Sequence, residues 1–358
     1  MLSLLWVLIA QCVPAVESMR HLRFSAPQPS EVECTVEKRY VPSPMELSWI
    51  HDIDRVSSLH KGDAEKKQWK HGCVKLEEDA DKIRTWMSYW QDREKWTKLA
   101  DLGEAASKAV KFDKNVFSYF DVVETCNSNP PRSVQQEVPI EPLAGALRHP
   151  LFPCRGGLRY TGNKNYMLPL FQHELVPVEQ RVSRITRKYF FDLGASTYNS
   201  GLGGASQSWF LDTYKSRGIV FDRILAWEGT NIPPENLLKD YPDEVYGKLS
   251  YFNVLAVTDP EAPGNPIRIL KQIAQEEDLV VMKIDIDNSP VELEFVYQIM
   301  KDLQVVNLID EFYFEHHVSA HPVEYAGWGQ DAKIHNISQS YELFSSLREL
   351  GIRAHSWV

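Results

Sequence analysis

The second half of the chain alternates short apolar runs with longer amphipathic stretches. Runs rich in β-branched and aromatic residues predict strands at residues 189–193, 223–227, 251–257, 279–286, 308–314 and 352–357. Apolar residues spaced three and four apart predict helices at residues 206–217, 234–238, 267–275, 290–303 and 341–350. Strands that alternate with helices are typical of βαβ units. We therefore predict that residues 181–358 form an α/β, Rossmann-like domain, with a doubly wound, mostly parallel sheet and helices on both faces.

The first half of the chain has a different pattern. Prolines 27, 29, 42 and 44 among polar residues favour an extended leader over residues 19–45. Trp49, Ile53 and Val56 then begin a helical spacing that continues to about residue 110. A strand is predicted at residues 116–124 and a turn at residues 129–131, before a proline-broken connection. Residues 46–180 are therefore predicted to form a mainly helical N-terminal region that ends in this proline-rich connection.

The first 18 residues predict a secretory signal peptide. Residues 1–10 are apolar except for Ser3, and small and turn-forming residues follow them. The apolar stretch is too short to span a bilayer, which takes about 20 residues. We therefore expect a protein of the secretory pathway with no stable membrane span. A translation start placed too far upstream would instead leave it cytoplasmic, and a clipped membrane anchor is the other alternative.

The cysteines bear on the same question. If cleavage removes Cys12, four remain, at positions 34, 73, 126 and 154, enough for two disulfides with three possible pairings. Buried free thiols are the alternative. None of the four shows the Cys-x-x-Cys spacing of a zinc or redox site. Asn336-Ile337-Ser338 is an acceptor sequence for glycosylation, which would matter only in a secreted chain.

Charge excludes one class of partner. The formal net charge is −10 at pH 7, and no basic arm interrupts the acidic background. Such a chain is repelled by phosphate backbones and by anionic membrane surfaces. We therefore predict no nucleic-acid partner.

Candidate ligand-binding residues follow the first two predicted strands. In open α/β sheets, ligands bind beyond the carboxyl ends of the strands, where the topology reverses. Asp192, Gly194 and Ser196 lie at the end of the first strand and in the turn after it, and Glu228 follows the second. A carboxylate in the position of Glu228 can accept the hydroxyls of a ribose. The alternative is a tight turn beside a solvated glutamate.

These segments resemble the class I S-adenosylmethionine-dependent methyltransferases, and most closely the FkbM-like family. The matching segments are Phe191-Asp192-Leu193-Gly194-Ala195-Ser196, Trp227-Glu228, residues 253–259 and Lys283-Ile284-Asp285-Ile286-Asp287-Asn288. The resemblance covers residues 185–358 and implies S-adenosylmethionine as cofactor. It places Asp192 and Gly194 beside the methionine moiety, Glu228 on the ribose, and Thr258 and Asp259 near the adenine.

The loop after the first strand departs from the family pattern. Ser196 stands where the family usually has Asn, and Tyr198 stands where a Gly is expected. We therefore expect Ser196 to contact the cofactor within a remodelled loop.

The acceptor would bind beside the fourth and fifth strands. Asp285, Asp287, Glu315 and His316 follow those strands. His316 suits a general base because its ordinary pKa lies near neutrality. We therefore expect O-methylation of a small-molecule or carbohydrate hydroxyl, with His316, Asp285 and Asp287 as catalytic residues.

Other functions compete for these residues. Asp285-Ile286-Asp287 is a DxD pattern, which in metal-dependent glycosyltransferases holds Mg²⁺ or Mn²⁺ against a nucleotide sugar. His316 and His317, with His321 and Glu315, could bind zinc or iron. Adjacent strand residues point to opposite faces, however, so we expect one buried and one exposed histidine, and no metal. A Rossmann-like domain that has lost its cofactor is a third possibility.

Overall fold

A computed structural model describes residues 34–57, 69–96, 111–128, 130–155, 160, 162–171, 174, 187–200, 206–319 and 334–357. The predicted signal peptide and the leader up to residue 33 lie outside these residues, as does His321. Within them, no helix combines the length and the hydropathy that a bilayer crossing requires.

The predicted parallel sheet is present. Its strands are β4 (Lys188–Leu193), β5 (Arg223–Trp227), β6 (Leu249–Phe252), β7 (Leu279–Ile284), β8 (Glu311–Phe314) and β9 (Arg353–Ser356). They are hydrogen-bonded in the order β6-β5-β4-β7-β8-β9, and every pairing is parallel. The chain builds outward from β4 to β6 and then crosses to β7. The topology therefore reverses between β4 and β7, which is where a doubly wound sheet opens its ligand crevice.

Helices connect the strands. They are α5 (Ser206–Ser216), α6 (Pro234–Leu237), α7 (Asp243–Tyr246), α8 (Pro266–Ile273), α9 (Ser289–Lys301), α10 (Leu303–Leu308) and α11 (Ile337–Glu349). Phe210 of α5 packs edge-on to Tyr313, with ring centroids 4.8 Å apart, and Phe344 of α11 lies 6.3 Å from Phe314. Because consecutive strand residues point to opposite faces, α5 and α11 cover opposite faces of the sheet.

Two predicted strands have the wrong bounds. The strand predicted at residues 251–257 ends at Phe252, and the apolar side chains of Val254, Leu255 and Val257 are exposed. The strand predicted at residues 308–314 begins only at Glu311. Asp302 accepts a hydrogen bond from the Gln304 amide and starts α10, so the apolar run there is helical.

The N-terminal region contains both helices and strands. Its helices are α1 (Pro44–Ser57), α2 (Lys70–Glu78), α3 (Ala80–Trp96) and α4 (Phe152–Arg155). β1 (Cys34–Val41), β2 (Ser118–Cys126) and β3 (Arg132–Ile140) form an antiparallel sheet in that order. The sequence predicted β2 within two residues, but β1 fell in the predicted leader and β3 was missed.

A disulfide fastens this region internally. Cys73 of α2 is bonded to Cys154 of α4. The antiparallel register places the backbone of Cys34 opposite Cys126, and Cys126 is also disulfide-bonded. The disulfide alternative, rather than free thiols, is therefore the one found at Cys73, Cys126 and Cys154.

A buried ionic network joins the N-terminal region to the sheet. Its acids are Glu46, Glu141 and Glu311, and its bases are Arg348, Arg353 and His355. Arg348 lies 3.4 Å from Glu46 and 3.3 Å from Glu141, and His355 lies 2.8 Å from Glu141 and 3.0 Å from Glu311. Arg353 lies 3.2 Å from Glu311. The two regions therefore share one polar core as well as apolar contacts.

Candidate functional site

The loop after β4 contains the glycine that the sequence singled out. Gly194 has a φ of +85°, and a Cβ there would collide with the carbonyl oxygen of Asp285. Its amide donates to the carbonyl of Trp227 at 2.9 Å. Packing between neighbouring strand ends therefore already requires glycine at this position, with or without a ligand.

Glu228 lies at the carboxyl tip of β5, partly exposed. Its carboxylate accepts one hydrogen bond from the Ser196 amide at 2.9 Å and one from the Thr230 amide at 2.6 Å. Ser196 itself has a φ of +50°, and its carbonyl accepts the hydroxyl of Tyr251 at 2.5 Å. Glu228 therefore ties the loop after β4 to the loop after β5.

An apolar surface lies beside this carboxylate. The side chain of Asn253 donates to the carbonyl of Glu228 at 2.9 Å, and the exposed residues Val254 and Leu255 follow it. The Leu255 side chain, 72% exposed, lies against Gly229. A carboxylate can accept the hydroxyls of a ribose, and exposed apolar groups beside it can contact the attached base of a nucleoside.

Thr258 and Asp259 lie further from the strand end than the resemblance suggested. The carbonyl of Thr258 accepts from the side chains of Asn265 and Gln298 at 3.3 and 2.6 Å. Asp259 is exposed, and its carboxylate accepts from the Glu261 amide. These contacts fix the loop between β6 and α8.

Asp192 is fully buried instead of facing a cleft. The ammonium of Lys283 donates to its carboxylate at 3.1 Å and to the carbonyl of Gly194 at 3.0 Å. Burial raises the pKa of Asp192, and Lys283 opposes that rise. Burial acts to lower the pKa of Lys283, but the two neighbouring carboxylates, Asp192 and Asp285, outweigh burial and raise that pKa. Asp192 therefore positions Lys283 and the loop after β4.

Asp285 and Asp287 have different partners. Asp285 lies 3.2 Å from the ammonium of Lys283 and accepts from the indole of Trp357 at 3.0 Å. Asp287 has a φ of +59° and a side chain that is 83% exposed. Asp285 is therefore held by Lys283 and Trp357, whereas the side chain of Asp287 is open to solvent.

Three side chains converge beyond β7 and β8. His317 Nε2 lies 3.3 Å from Glu315 and 3.9 Å from Asp287, and its Nδ1 lies 3.1 Å from the hydroxyl of Ser289. Burial, followed by Asp285, raises the pKa of Glu315 to about 7. Burial opposes protonation of His317, but the hydrogen bond that its ring donates to Glu315 and the surrounding acids raise its pKa. A carboxylate with a pKa of about 7, in contact with an imidazole, is suited to proton transfer.

Glu292 lies next to this group. It is fully buried on α9, and one carboxylate oxygen accepts from the Ile286 amide at 2.7 Å. The other oxygen has no hydrogen-bond partner among the described residues. Burial raises the pKa of Glu292 to about 7. The sequence did not single out Glu292, although its place one turn into a helix after the fourth strand directs it to this edge.

His316 does not match its expected role. Its ring is buried against Phe314 and His335, and neither ring nitrogen has a hydrogen-bond partner among the described residues. Burial lowers its pKa to about 3, so the ring is neutral and weakly basic. The expectation of one buried and one exposed histidine was wrong, because both side chains are buried.

The N-terminal region contributes a cation to this edge. Lys164 is buried in the described segment 162–171, and its ammonium lies 4.8 Å from the centre of the Trp357 ring. Burial lowers the pKa of Lys164 to about 8, while Asp285 and Glu315 raise it. A cation of the N-terminal region therefore lies near Asp285 and Glu315.

Tyr198 explains the departure of the loop from the family pattern. Its ring is buried 4.9 Å from that of Tyr241, and its carbonyl accepts from the Ser208 amide at the start of α5. An aromatic anchor thus occupies the position where glycine was expected. The glycines at 201, 203 and 204 lie outside the described residues.

Comparison with protein-family models, with curated proteins and with solved structures found no match to this chain.

Proposed function

We propose that this protein is an S-adenosylmethionine-dependent O-methyltransferase that acts on a small-molecule or carbohydrate hydroxyl. The observation that supports it most is Glu228, a partly exposed carboxylate beside the point where the sheet reverses. The exposed side chain of Leu255 beside it supplies an apolar surface. The carboxylate and the apolar surface together are suited to binding a nucleoside.

The donors and acceptors in the site fit the cofactor only in part. Each oxygen of Glu228 accepts one backbone hydrogen bond and keeps a second acceptor position for a ribose hydroxyl. Ser196 and Leu255 are the other residues that would contact the cofactor. Asp192, being buried, would act by holding Lys283 and the turn, and not by direct contact.

The acceptor hydroxyl needs a base. When bound, S-adenosylmethionine supplies an electrophilic methyl group, and the protein has to align the acceptor oxygen and take its proton. Glu315, with a pKa of about 7, is better matched to that task than His316, with a pKa of about 3. His317, in contact with Glu315, can stabilise the charge that the transfer leaves.

A binding titration tests the proposal. S-Adenosylhomocysteine should bind the full chain saturably in calorimetry. Glu228→Gln keeps an oxygen for the backbone amides but loses one anionic acceptor, so we expect at least about tenfold weaker binding. Glu235→Gln, an exposed glutamate on the neighbouring helix α6, is the matched control and should bind like the wild type.

Two results would contradict the proposal. One is the absence of saturable binding by well-folded wild-type protein, which would favour a Rossmann-like domain without cofactor. The other is equal affinity in Glu228→Gln and in the wild type.

A further inference from the structure

The group formed by Asp287, Glu315 and His317 has the composition and spacing of a metal site. We propose that these three side chains bind a divalent transition-metal cation of the Mn²⁺ or Zn²⁺ class, although the sequence alone led us to expect no metal. One ligand atom from each side chain can be chosen so that all three lie within 4.8 Å of one another. Two carboxylates and one imidazole are a donor set that these ions accept.

The individual distances agree with a shared ion. His317 Nε2 lies 3.3 Å from Glu315 Oε2 and 3.9 Å from Asp287 Oδ1. Atoms bound about 2.1 Å from one ion lie roughly 3–4 Å apart. The group therefore needs only small side-chain movements to coordinate a cation.

The histidine is oriented as a ligand. Its Nδ1 lies 3.1 Å from the hydroxyl of Ser289, and its Nε2 faces the two carboxylates. A hydrogen bond on one ring nitrogen that directs the other toward a metal is the usual arrangement around metal-bound histidines.

The surroundings supply a second, independent observation. Glu292 is completely buried, has one carboxylate oxygen with no hydrogen-bond partner among the described residues, and interacts electrostatically with His317. Of the nearby ammonium groups, Lys283 is already paired with Asp192 and Asp285, and Lys164 interacts with Asp285 and Glu315, so neither is paired with Asp287 or Glu292 in these contacts. A buried excess of negative charge is unfavourable unless a cation compensates it.

The cation would act at the acceptor side of the cleft. Bound there with Glu315 as a ligand, it would hold an acceptor oxygen and lower the pKa of its hydroxyl, replacing Glu315 as the group that activates it; this role rests on the proposed methyltransferase function. Binding of the cation itself does not depend on that function.

The test is a titration of the EDTA-treated full chain with Mn²⁺, followed by electron paramagnetic resonance, and with Zn²⁺, followed by calorimetry. We expect one ion per chain, and at least tenfold weaker binding in Asp287→Asn. This variant should fold normally because the side chain of Asp287 is 83% exposed. Asp240→Asn, which removes an exposed carboxylate outside the group, should bind like the wild type.

Glu315→Gln gives a second, buried variant and should weaken binding as much. Failure of the wild type to bind either ion at about 1 mM would overturn the proposal. Equal binding in Asp287→Asn would also overturn it, since the ion would then lie elsewhere. Because the titration contains no S-adenosylhomocysteine, and the cofactor titration can be run in EDTA, either proposal can fail while the other holds.

Discussion

Two buried polar clusters in this protein differ in how their charges are balanced. The structural cluster holds Glu46, Glu141 and Glu311 together with Arg348, Arg353 and His355, three acids against three bases. The site cluster, buried or half-buried except for Asp287, holds Asp192, Asp285, Asp287, Glu292 and Glu315 against Lys164, Lys283 and His317, five acids against three bases. Both lie against the same sheet, so burial alone does not distinguish them.

The pKa values reflect the difference. Burial opposes ionisation of Glu311, but His355 and Arg353 overcome it and lower the pKa of Glu311 to about 2. In the site cluster, Lys283 overcomes the effect of burial on Asp285, but the effect on Glu292 and Glu315 is not overcome, and their pKa values rise to about 7. A compensated cluster fixes the fold, whereas an uncompensated one remains able to exchange protons or to bind a cation.

The largest expected effect comes from unbalancing the structural cluster. Arg348→Met leaves Glu46 and Glu141 buried with one base fewer, so the free energy of unfolding should fall by about 3–5 kcal/mol. Urea unfolding at pH 7 measures this. Lys271→Met, which breaks a half-exposed pair with Asp302, should cost no more than about 1 kcal/mol. Equal effects of the two substitutions would mean that the network contributes no more than a surface ion pair.

A smaller effect of opposite sign is expected in the site cluster. The pKa of Glu292 is raised from 4.5 to about 7, so the folded state binds its proton more tightly. Stability from this group is therefore present below pH 4.5 and is lost as pH rises through 7. Glu292→Gln keeps the acceptor for the Ile286 amide and removes that loss, so in EDTA it should be more stable than the wild type by roughly 2 kcal/mol at pH 8.

The same comparison at pH 5 should show little difference, because Glu292 is then protonated in the folded state. Glu294→Gln, on the exposed side of α9, controls for the loss of charge and should change stability little at either pH. A Glu292→Gln variant that is less stable than the wild type at pH 8 would show that the cluster is compensated after all.

The two clusters also differ in how far the sequence predicts them. The apolar run of β7 and the acids that follow it indicated the edge of the sheet where the strands end. This was possible because a strand pattern and the residues next to it are local properties of the sequence. Glu292 was missed although its place one turn into α9 is a local signal, whereas Lys164 was missed because it reaches that edge from the distant N-terminal region. The partners of Arg348 were not predictable either, since Glu46 and Glu141 come from distant parts of the chain.

The sequence pattern predicted the wrong strand bounds where apolar residues are exposed. Val254 and Leu255 extended a predicted strand that ends at Phe252, and they lie exposed beside Glu228. An apolar run normally indicates burial, and the exception lies next to the proposed nucleoside site. The expectation for His316 and His317 failed differently, since strand alternation predicted one exposed ring and both rings are buried.

The smallest effect is expected from removing one hydroxyl in each region. Tyr341 donates to the carbonyl of Gly145 at 2.8 Å in the buried junction between α11 and the N-terminal region. Tyr251 donates to the carbonyl of Ser196 at the partly exposed site.

Tyr341→Phe leaves a buried carbonyl unsatisfied and should cost about 1–2 kcal/mol of stability without changing affinity for S-adenosylhomocysteine. Tyr251→Phe leaves a carbonyl that water can reach, so it should cost less than about 1 kcal/mol but weaken binding about threefold by releasing the loop. Urea unfolding and calorimetry on both variants measure the two effects. If Tyr341→Phe changed affinity, or if Tyr251→Phe cost as much stability as Tyr341→Phe, the separation between a region that holds the fold and a region that serves the site would not stand.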